Sequence, residues 1–207
     1  MSRDGGKGPP RGDSLLGEVV VRASTSSLED LAQQVAELLS IQQGDAILEL
    51  GYGSGRMMSQ IAARLRGGSV VGIDPAELMV RHARMRNRRA IAAGRAAVEQ
   101  GDSAALAGFA DARFDKVFGL HVIYFWTEPR RDLAEIHRVL RPNGIFLLGF
   151  WPAEAVGRSV ARRERAGYDA GRASALLREN GFEDLATERR AERGQPLVWV
   201  RGRRPAG

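Results

Sequence analysis

From residue 28 onward the chain alternates between two spacings of apolar residues. Leu28, Leu31, Val35, Leu38 and Leu39 recur at helical intervals and share one face. Ser26 or Ser27 stands before them as a cap, and Glu29 and Asp30 fall in the first turn, where acids favour a helix start. The run "AILEL" (46–50) then predicts a strand, and Met57, Met58, Ile61 and Leu65 space a helix over 56–66. "SVVGI" (69–73) predicts a second strand that stops at Asp74-Pro75. Residues 76–92 predict a helix and "AAVEQ" (96–100) a third strand. Between Gly101 and Arg113 the pattern lapses into a loop with one helical turn. "FDKVFGL" (114–120) predicts a fourth strand. A helix over 128–140 follows, with Thr127 as cap and Pro129 in its first turn, and "PNG" (142–144) turns into the strand "IFLLGF" (145–150).

Two helical patches come next, at about 154–166 and 169–180, closed by Gly181. The chain finishes on "FEDLATERR" (182–190) and "PLVWVRG" (196–202), joined by a turn at Gln195-Pro196, which predicts a closing hairpin. Strands that alternate with helices predict an α/β fold, a doubly wound sheet of seven strands, mostly parallel. The closing hairpin makes its C-terminal edge antiparallel. Residues 1–14, polar and rich in glycine and proline, predict a disordered arm. Residues 15–207 predict one domain, with 15–44 as an N-terminal helical cap.

In an open sheet of this kind, ligands bind outside the carboxyl ends of the strands. That rule selects residues. The first strand delivers Gly51, Tyr52, Gly53, Ser54 and Gly55, the second Asp74, and the third Gly101, Asp102 and Ser103. The fourth delivers Leu120 and His121, the fifth Phe150 and Trp151. Glu49, Asp74 and Asp102 surround this crevice, and Arg56 is the one cation among them, the reverse of what a phosphate-rich ligand needs. A dinucleotide loop wants G-x-G-x-x-G, whose last glycine position is here Arg56; a P-loop is excluded because no Gly-Lys-Ser/Thr follows. An acid about twenty residues beyond the loop, Asp74, suits a ribose diol. A nucleoside carrying a cation and one carboxylate fits this set, and S-adenosylmethionine is such a molecule. Its carboxylate can meet helix N-terminal amides, and its amino group can face Glu49.

Composition narrows the picture further. None of the 207 residues is cysteine, which removes disulfides, thiolate metal sites and cysteine nucleophiles and fits a reducing, cytoplasmic setting. Three scattered histidines suggest no metal site. The N-terminus does not read as a signal peptide, and the longest apolar stretch is too short to span a bilayer. The net charge of +6 is spread along the chain, mostly as arginine. The basic segment "RHARMRNRRAIAAGR" (81–95) reads as a solvated helix face, so no specific nucleic-acid partner is expected.

With these motifs in place, the sequence resembles the class I S-adenosylmethionine-dependent methyltransferases, and among them the ubiquinone/sterol-methyltransferase-like small-molecule group. The resemblance covers roughly residues 28–200. It rests on "LELGYGSG" (48–55), "VVGIDPAELMVRHAR" (70–84), "EQGDSAAL" (99–106), "FDKVFGLHVIYFW" (114–126) and "RVLRPNGIFLLGF" (138–150), in that order. It implies a Rossmann-like sheet, S-adenosyl-L-methionine as cofactor and S-adenosyl-L-homocysteine as product. By position it implies Gly51, Gly53 and Gly55 along the methionine end, Glu49 near the amino group and Asp74 on the ribose hydroxyls. Pro75 and Met79 would flank the adenine, Asp102 would accept from its exocyclic amine with Ser103 beside it, and Leu120 and His121 would lie near the sulfonium. Tyr52 departs from the pattern, where a small residue is commoner; it either narrows the mouth or offers its hydroxyl to the cofactor.

His121 ends the central strand where the methyl would be delivered and is read either as a general base or as a pocket wall, while His82 and His137 sit mid-helix and are expected to be exposed. Tyr124, Phe125, Trp126, Phe150 and Trp151 predict an aromatic, mostly apolar acceptor pocket. The expected activity is in-line methyl transfer to a small, partly apolar molecule, by a monomer or homodimer. The rivals are a nucleic-acid methyltransferase, which lacks its Asn/Asp-Pro-Pro-aromatic stretch at "GLHVIYFW" (119–126), and a non-catalytic cofactor-binding domain. The acceptor site is expected to be open, or closed by the N-terminal segment or a second subunit.

Overall fold

The computed structural model describes residues 25–103, 106–153, 167–192 and 194–207. The expected N-terminal arm and the first helical patch at 154–166 lie outside them. The described elements alternate as the sequence predicts. Helix α1 (Thr25–Leu38) leads into β1 (Ala46–Leu50), α2 (Arg56–Arg64), β2 (Ser69–Asp74), α3 (Glu77–Ala92) and β3 (Ala96–Gln100). The second half has β4 (Phe114–Leu120), α4 (Pro129–Val139), β5 (Leu140–Phe150), α5 (Ala170–Glu179), β6 (Glu183–Glu192) and β7 (Gln195–Arg203). The strands form one seven-stranded sheet in the order β3-β2-β1-β4-β5-β7-β6. The first five are parallel, and β7 is antiparallel to both of its neighbours. The order reverses between β1 and β4, so the loops after these two strands open the crevice where such sheets bind ligands.

Two apolar layers fill the space on either side of the sheet. On one face Ile47, Val70, Phe118, Leu147 and Trp199 pack with α1, α2 and α3. On the other Leu48, Val71, Val117, Leu148 and Val198 pack with α4 and α5. Successive strand residues point to opposite faces. Glu49 therefore shares the α2–α3 face with Ile47, and Asp74 shares it with Gly72, the residue paired in register with Glu49. The two carboxylates are brought together by strand geometry alone.

Three predicted boundaries move. The "PNG" segment is not a turn before β5 but a bulge inside it: Phe114 pairs with Leu140 and Lys116 with Ile145, and Asn143 takes up the extra length at φ 64°. Asparagine tolerates this left-handed conformation. The hairpin turn falls earlier than expected, because Gln195 and Pro196 already pair with Glu192 and Ala191 in β7. Gly194, at φ 75°, supplies the turn conformation instead. Helix α4 begins after Glu128, which makes no side-chain cap, so Thr127 is not its cap.

Gly149 couples the sheet to the crevice. It pairs with Trp199 across β5–β7, and a methyl group there would overlap the indole ring and Leu120. Its carbonyl also accepts from the backbone N–H of His121 at 2.7 Å. Gly149→Val should therefore lower the melting temperature by roughly 2–4 °C for each kcal/mol of an expected loss of about 1–3 kcal/mol. Thermal unfolding at the wild-type temperature would contradict this packing.

Candidate functional site

The glycine loop is shaped by contacts on one side and bare on the other. Gly51, Gly53 and Gly55 all have positive φ, at 66°, 53° and 72°. A side chain on Gly51 would strike Val122, and one on Gly55 would strike Ala83 and Asn87 of α3. Asn87 is buried and donates to the Gly55 carbonyl at 3.0 Å, and Arg86 donates to the Ser54 carbonyl at 3.0 Å. Gly53 has no neighbour where a side chain would stand. Helix α3 thus grips the loop from behind and leaves its front to an incoming ligand.

Asp74 joins the loop to the next element. Its Oδ2 accepts from the Gly53 N–H at 2.8 Å and its Oδ1 from the Ala76 N–H at 3.0 Å. Each carboxylate oxygen keeps a second lone pair. Burial raises the Asp74 pKa above the ordinary carboxylate range, and the two backbone donors work against that rise. Glu49, on the strand beneath, is fully buried, and its Oε2 has no hydrogen-bond partner. Desolvation, reinforced by the nearby Asp74 charge, pushes its pKa up to about 8. A buried, orphaned carboxyl beside an open loop is a ready partner for an ammonium group.

Tyr52 does neither of the things expected of it. Its side chain turns inward, lies over Gly72, and donates its hydroxyl to the Glu99 carbonyl at 3.0 Å. Burial raises its pKa. Gly72 is the signal for this arrangement, since the ring occupies the space a side chain there would fill. Of the adenine candidates, Pro75 is exposed, Met79 is half-buried and Asp102 is exposed at the end of β3. Gly101 is held by its N–H bond to the Asp74 carbonyl at 3.1 Å. Ser103 is drawn the other way: it is buried and donates to Asp132 of α4 at 2.5 Å.

The aromatic cluster divides, because neighbouring strand residues face opposite sides. Phe150 is fully buried on the α4–α5 face, where Trp126 also packs. Phe125 is largely exposed. Tyr124 and Trp151 stay together: the tyrosine hydroxyl donates to the Trp151 carbonyl at 2.9 Å and accepts from its N–H at 2.6 Å. Between these two lies His121, its ring 4.3 Å from that of Trp151 and 6.1 Å from that of Tyr124. Leu120 packs against the α1–α3 core. His121 adopts φ 59°, a conformation that costs a residue with a side chain about 1–3 kcal/mol and that clusters at functional sites. Its Nε2 lies 2.9 Å from Glu192, a residue the sequence gives no reason to single out. The other histidines are also less exposed than expected. His82 is half-buried, and His137 packs edge-on against Phe182 at 5.3 Å, where burial and then Arg204 lower its pKa.

Among the described residues, the β6–β7 hairpin reaches this corner through Glu192, the last residue of β6. Arg190 pairs with Glu37 of α1 at 3.0 Å, and the Trp199 indole donates to Gln34 of α1 at 2.9 Å. Glu192 therefore comes from the edge strand yet reaches the end of β4, a contact that the sequence expectations did not include.

Comparison with known proteins follows the same lines. The "Methyltransferase domain" family matches residues 48–148. A putative methyltransferase, YrhH of Bacillus subtilis, is 31% identical over 161 residues, covering 78% of this chain and 81% of the relative. Sterol 24-C-methyltransferase of Eremothecium gossypii is 27% identical over 178 residues, 80% of this chain but only 47% of its own length. A methyltransferase of Aquifex aeolicus described as SAM-dependent superposes with a TM-score of 0.75 at 19% identity, covering 90% of this chain and 96% of that one, a likeness of fold. The chain belongs to the S-adenosylmethionine-dependent methyltransferases, and S-adenosyl-L-methionine is its cofactor.

Proposed function

We propose that the protein methylates a small, partly apolar molecule by in-line displacement, with the cofactor held along the glycine loop and the acceptor at His121. The observation that carries this reading is the meeting of His121, Tyr124, Trp151 and Glu192 at the carboxyl ends of β4 and β5. Aromatic rings beside a few polar groups suit a small, partly apolar acceptor. In this reading Gly51, Gly53 and Gly55 line the methionine end, and Glu49 faces the amino group. The second lone pairs of Asp74 accept from the ribose hydroxyls. Pro75 and Met79 flank the adenine, and Asp102 accepts from its amine. Ser103 steadies the adjoining turn through Asp132, and Tyr52 supports the loop from the core.

The cofactor, when bound, supplies a methyl group already activated on a sulfonium. The residues of the chain therefore have to align the acceptor and exclude water, and orientation of this kind can contribute roughly 7–11 kcal/mol. Where the acceptor carries a proton, His121 is placed to remove it, which adds roughly 10²–10⁴-fold.

Three outcomes test the reading. S-adenosylmethionine and S-adenosylhomocysteine should bind in calorimetry and NAD should not. Asp74→Ala should weaken binding at least about tenfold, since hydrogen bonds to a charged group contribute about 1.5–3 kcal/mol each; unchanged affinity would contradict the ribose assignment.

Glu49 gives a linked outcome. With its folded pKa raised to about 8, it is mostly protonated at pH 7, and it costs the folded state progressively more stability as pH climbs from the ordinary carboxylate range through that value. An ammonium group placed against it would drive the proton off. Cofactor binding at pH 7 should thus release a proton, seen as a dependence of the binding heat on buffer ionisation enthalpy, and Glu49→Gln should abolish that dependence. A wild-type heat that is the same in every buffer would exclude contact between Glu49 and the amino group.

On a hydroxyl acceptor, His121→Ala should lower kcat roughly 10²-fold or more with cofactor affinity nearly unchanged. Full turnover of that variant would leave alignment and desolvation as the whole mechanism.

A further inference from the structure

We propose that the methyl acceptor is a hydroxyl group and that Glu192 is a positioning residue, which holds the His121 imidazole with its proton on Nε2 and so presents Nδ1 to the acceptor. The proposal rests on the methyltransferase reading above and adds to it the acceptor atom and a second member of the site.

The geometry is specific. The His121 and Glu192 side chains are 13% and 11% exposed, and Nε2 and the carboxylate lie 2.9 Å apart. A carboxylate accepts, so the neutral imidazole that faces it carries its proton on Nε2 and leaves Nδ1 with a lone pair. That Nδ1 is buried and has no hydrogen-bond partner, and the same is true of Nε1 of Trp151, on the ring that touches the imidazole. Buried polar atoms are almost always paired, and an unpaired one marks a site that a ligand or water completes. Here the two orphans are of opposite kind, an acceptor on His121 and a donor on Trp151. A hydroxyl satisfies both and keeps a second lone pair to attack the methyl, whereas a neutral amine that accepted from Trp151 would occupy its single lone pair. A carbon acceptor satisfies neither.

The rest of the corner is built to keep the imidazole still. Tyr124 and Trp151 hold each other by two hydrogen bonds, and the ring of His121 lies against both. The backbone of His121 sits in the left-handed region and is tied to Gly149. Glu192 is carried there by a hairpin that Glu37 and Gln34 anchor to α1. Burying a carboxylate against a neutral imidazole adds little net stability, because desolvating the charge offsets the hydrogen bond gained. Orienting a base is a role that the same pair performs well.

The chemical step balances. The acceptor oxygen forms a bond to the methyl carbon, and the carbon–sulfur bond breaks with its electron pair left on sulfur, turning the sulfonium into a neutral thioether. The hydroxyl proton passes to Nδ1. The imidazolium so formed lies against the Glu192 carboxylate, which offsets its charge until the proton leaves to solvent.

The test reads the tautomer directly. The full-length protein, labelled with ¹⁵N-histidine and saturated with S-adenosylhomocysteine, is observed by imidazole ¹⁵N–¹H correlation at about pH 8.5, where neutral imidazole normally dominates. Its histidines are few, and the His121 signals are those lost in His121→Asn. The wild type should show a protonated Nε2 and a bare Nδ1. Glu192→Leu should convert His121 to a mixture of the two tautomers, and Glu192→Asp should restore the wild-type state in part. A proton on Nδ1 in the wild type, or a tautomer indifferent to Glu192→Leu, would overturn the proposal. Because the wild-type signal alone can overturn it, the test survives a variant that fails to fold. Failure of S-adenosylhomocysteine to bind would instead overturn the cofactor assignment beneath it, so the two failures are told apart.

Discussion

A single buried carboxylate organises the glycine loop and the elements around it. Asp74 ends β2 and takes one hydrogen bond from the glycine loop at Gly53 and another from Ala76, just before α3. Through it the loop, the second strand and the third helix are one unit. Helix α3 returns the grip through Asn87 and Arg86. With Tyr52 anchoring it from the core, the loop can therefore hold three left-handed residues in a row of five. Desolvating Asp74 is unfavourable and its two backbone donors only partly compensate, so further donors, such as a diol, are the natural completion.

Glu49 extends the same logic one layer down. Strand alternation places it on the Asp74 face, and the second carboxylate raises the cost of ionising the first. Two acids that resist ionisation together, beside an open loop, make a site that a cation relaxes. The acceptor side is built on different principles. There the fixed points are an imidazole in a strained backbone conformation, two aromatic rings and the tip of a hairpin.

The two halves differ in how far they could be read from sequence. The cofactor half depends on residues close to each other along the chain, with spacings set by strand ends: "LELGYGSG" (48–55), then Asp74, then Asp102. Local patterns carry such information, and the mostly parallel sheet with its antiparallel C-terminal edge followed from the alternation of elements and the closing hairpin. Tyr52 was misplaced because its destination depends on Gly72, a partner in the neighbouring strand. The bond from Ser103 to Asp132 joins residues 29 apart, beyond the reach of a local pattern. Phe150 and Trp151 are neighbours in sequence but do not form one cluster, because successive residues along a strand point to opposite faces. Glu192 had no local signal at all. Its contact to His121 spans 71 residues, and it depends on β6 and β7 pairing with each other beyond Phe150, the last residue of β5.

The central claim is that Asp74 and Glu49 bind the two ends of the cofactor while His121 faces its methyl group. A crystal structure of the protein with S-adenosylhomocysteine tests it most directly. The account predicts the ribose hydroxyls within hydrogen-bond distance of Asp74, the amino group toward Glu49, and the sulfur opening onto the corner of His121 and Trp151. A ribose bound away from Asp74, or a sulfur turned away from that corner, would contradict it.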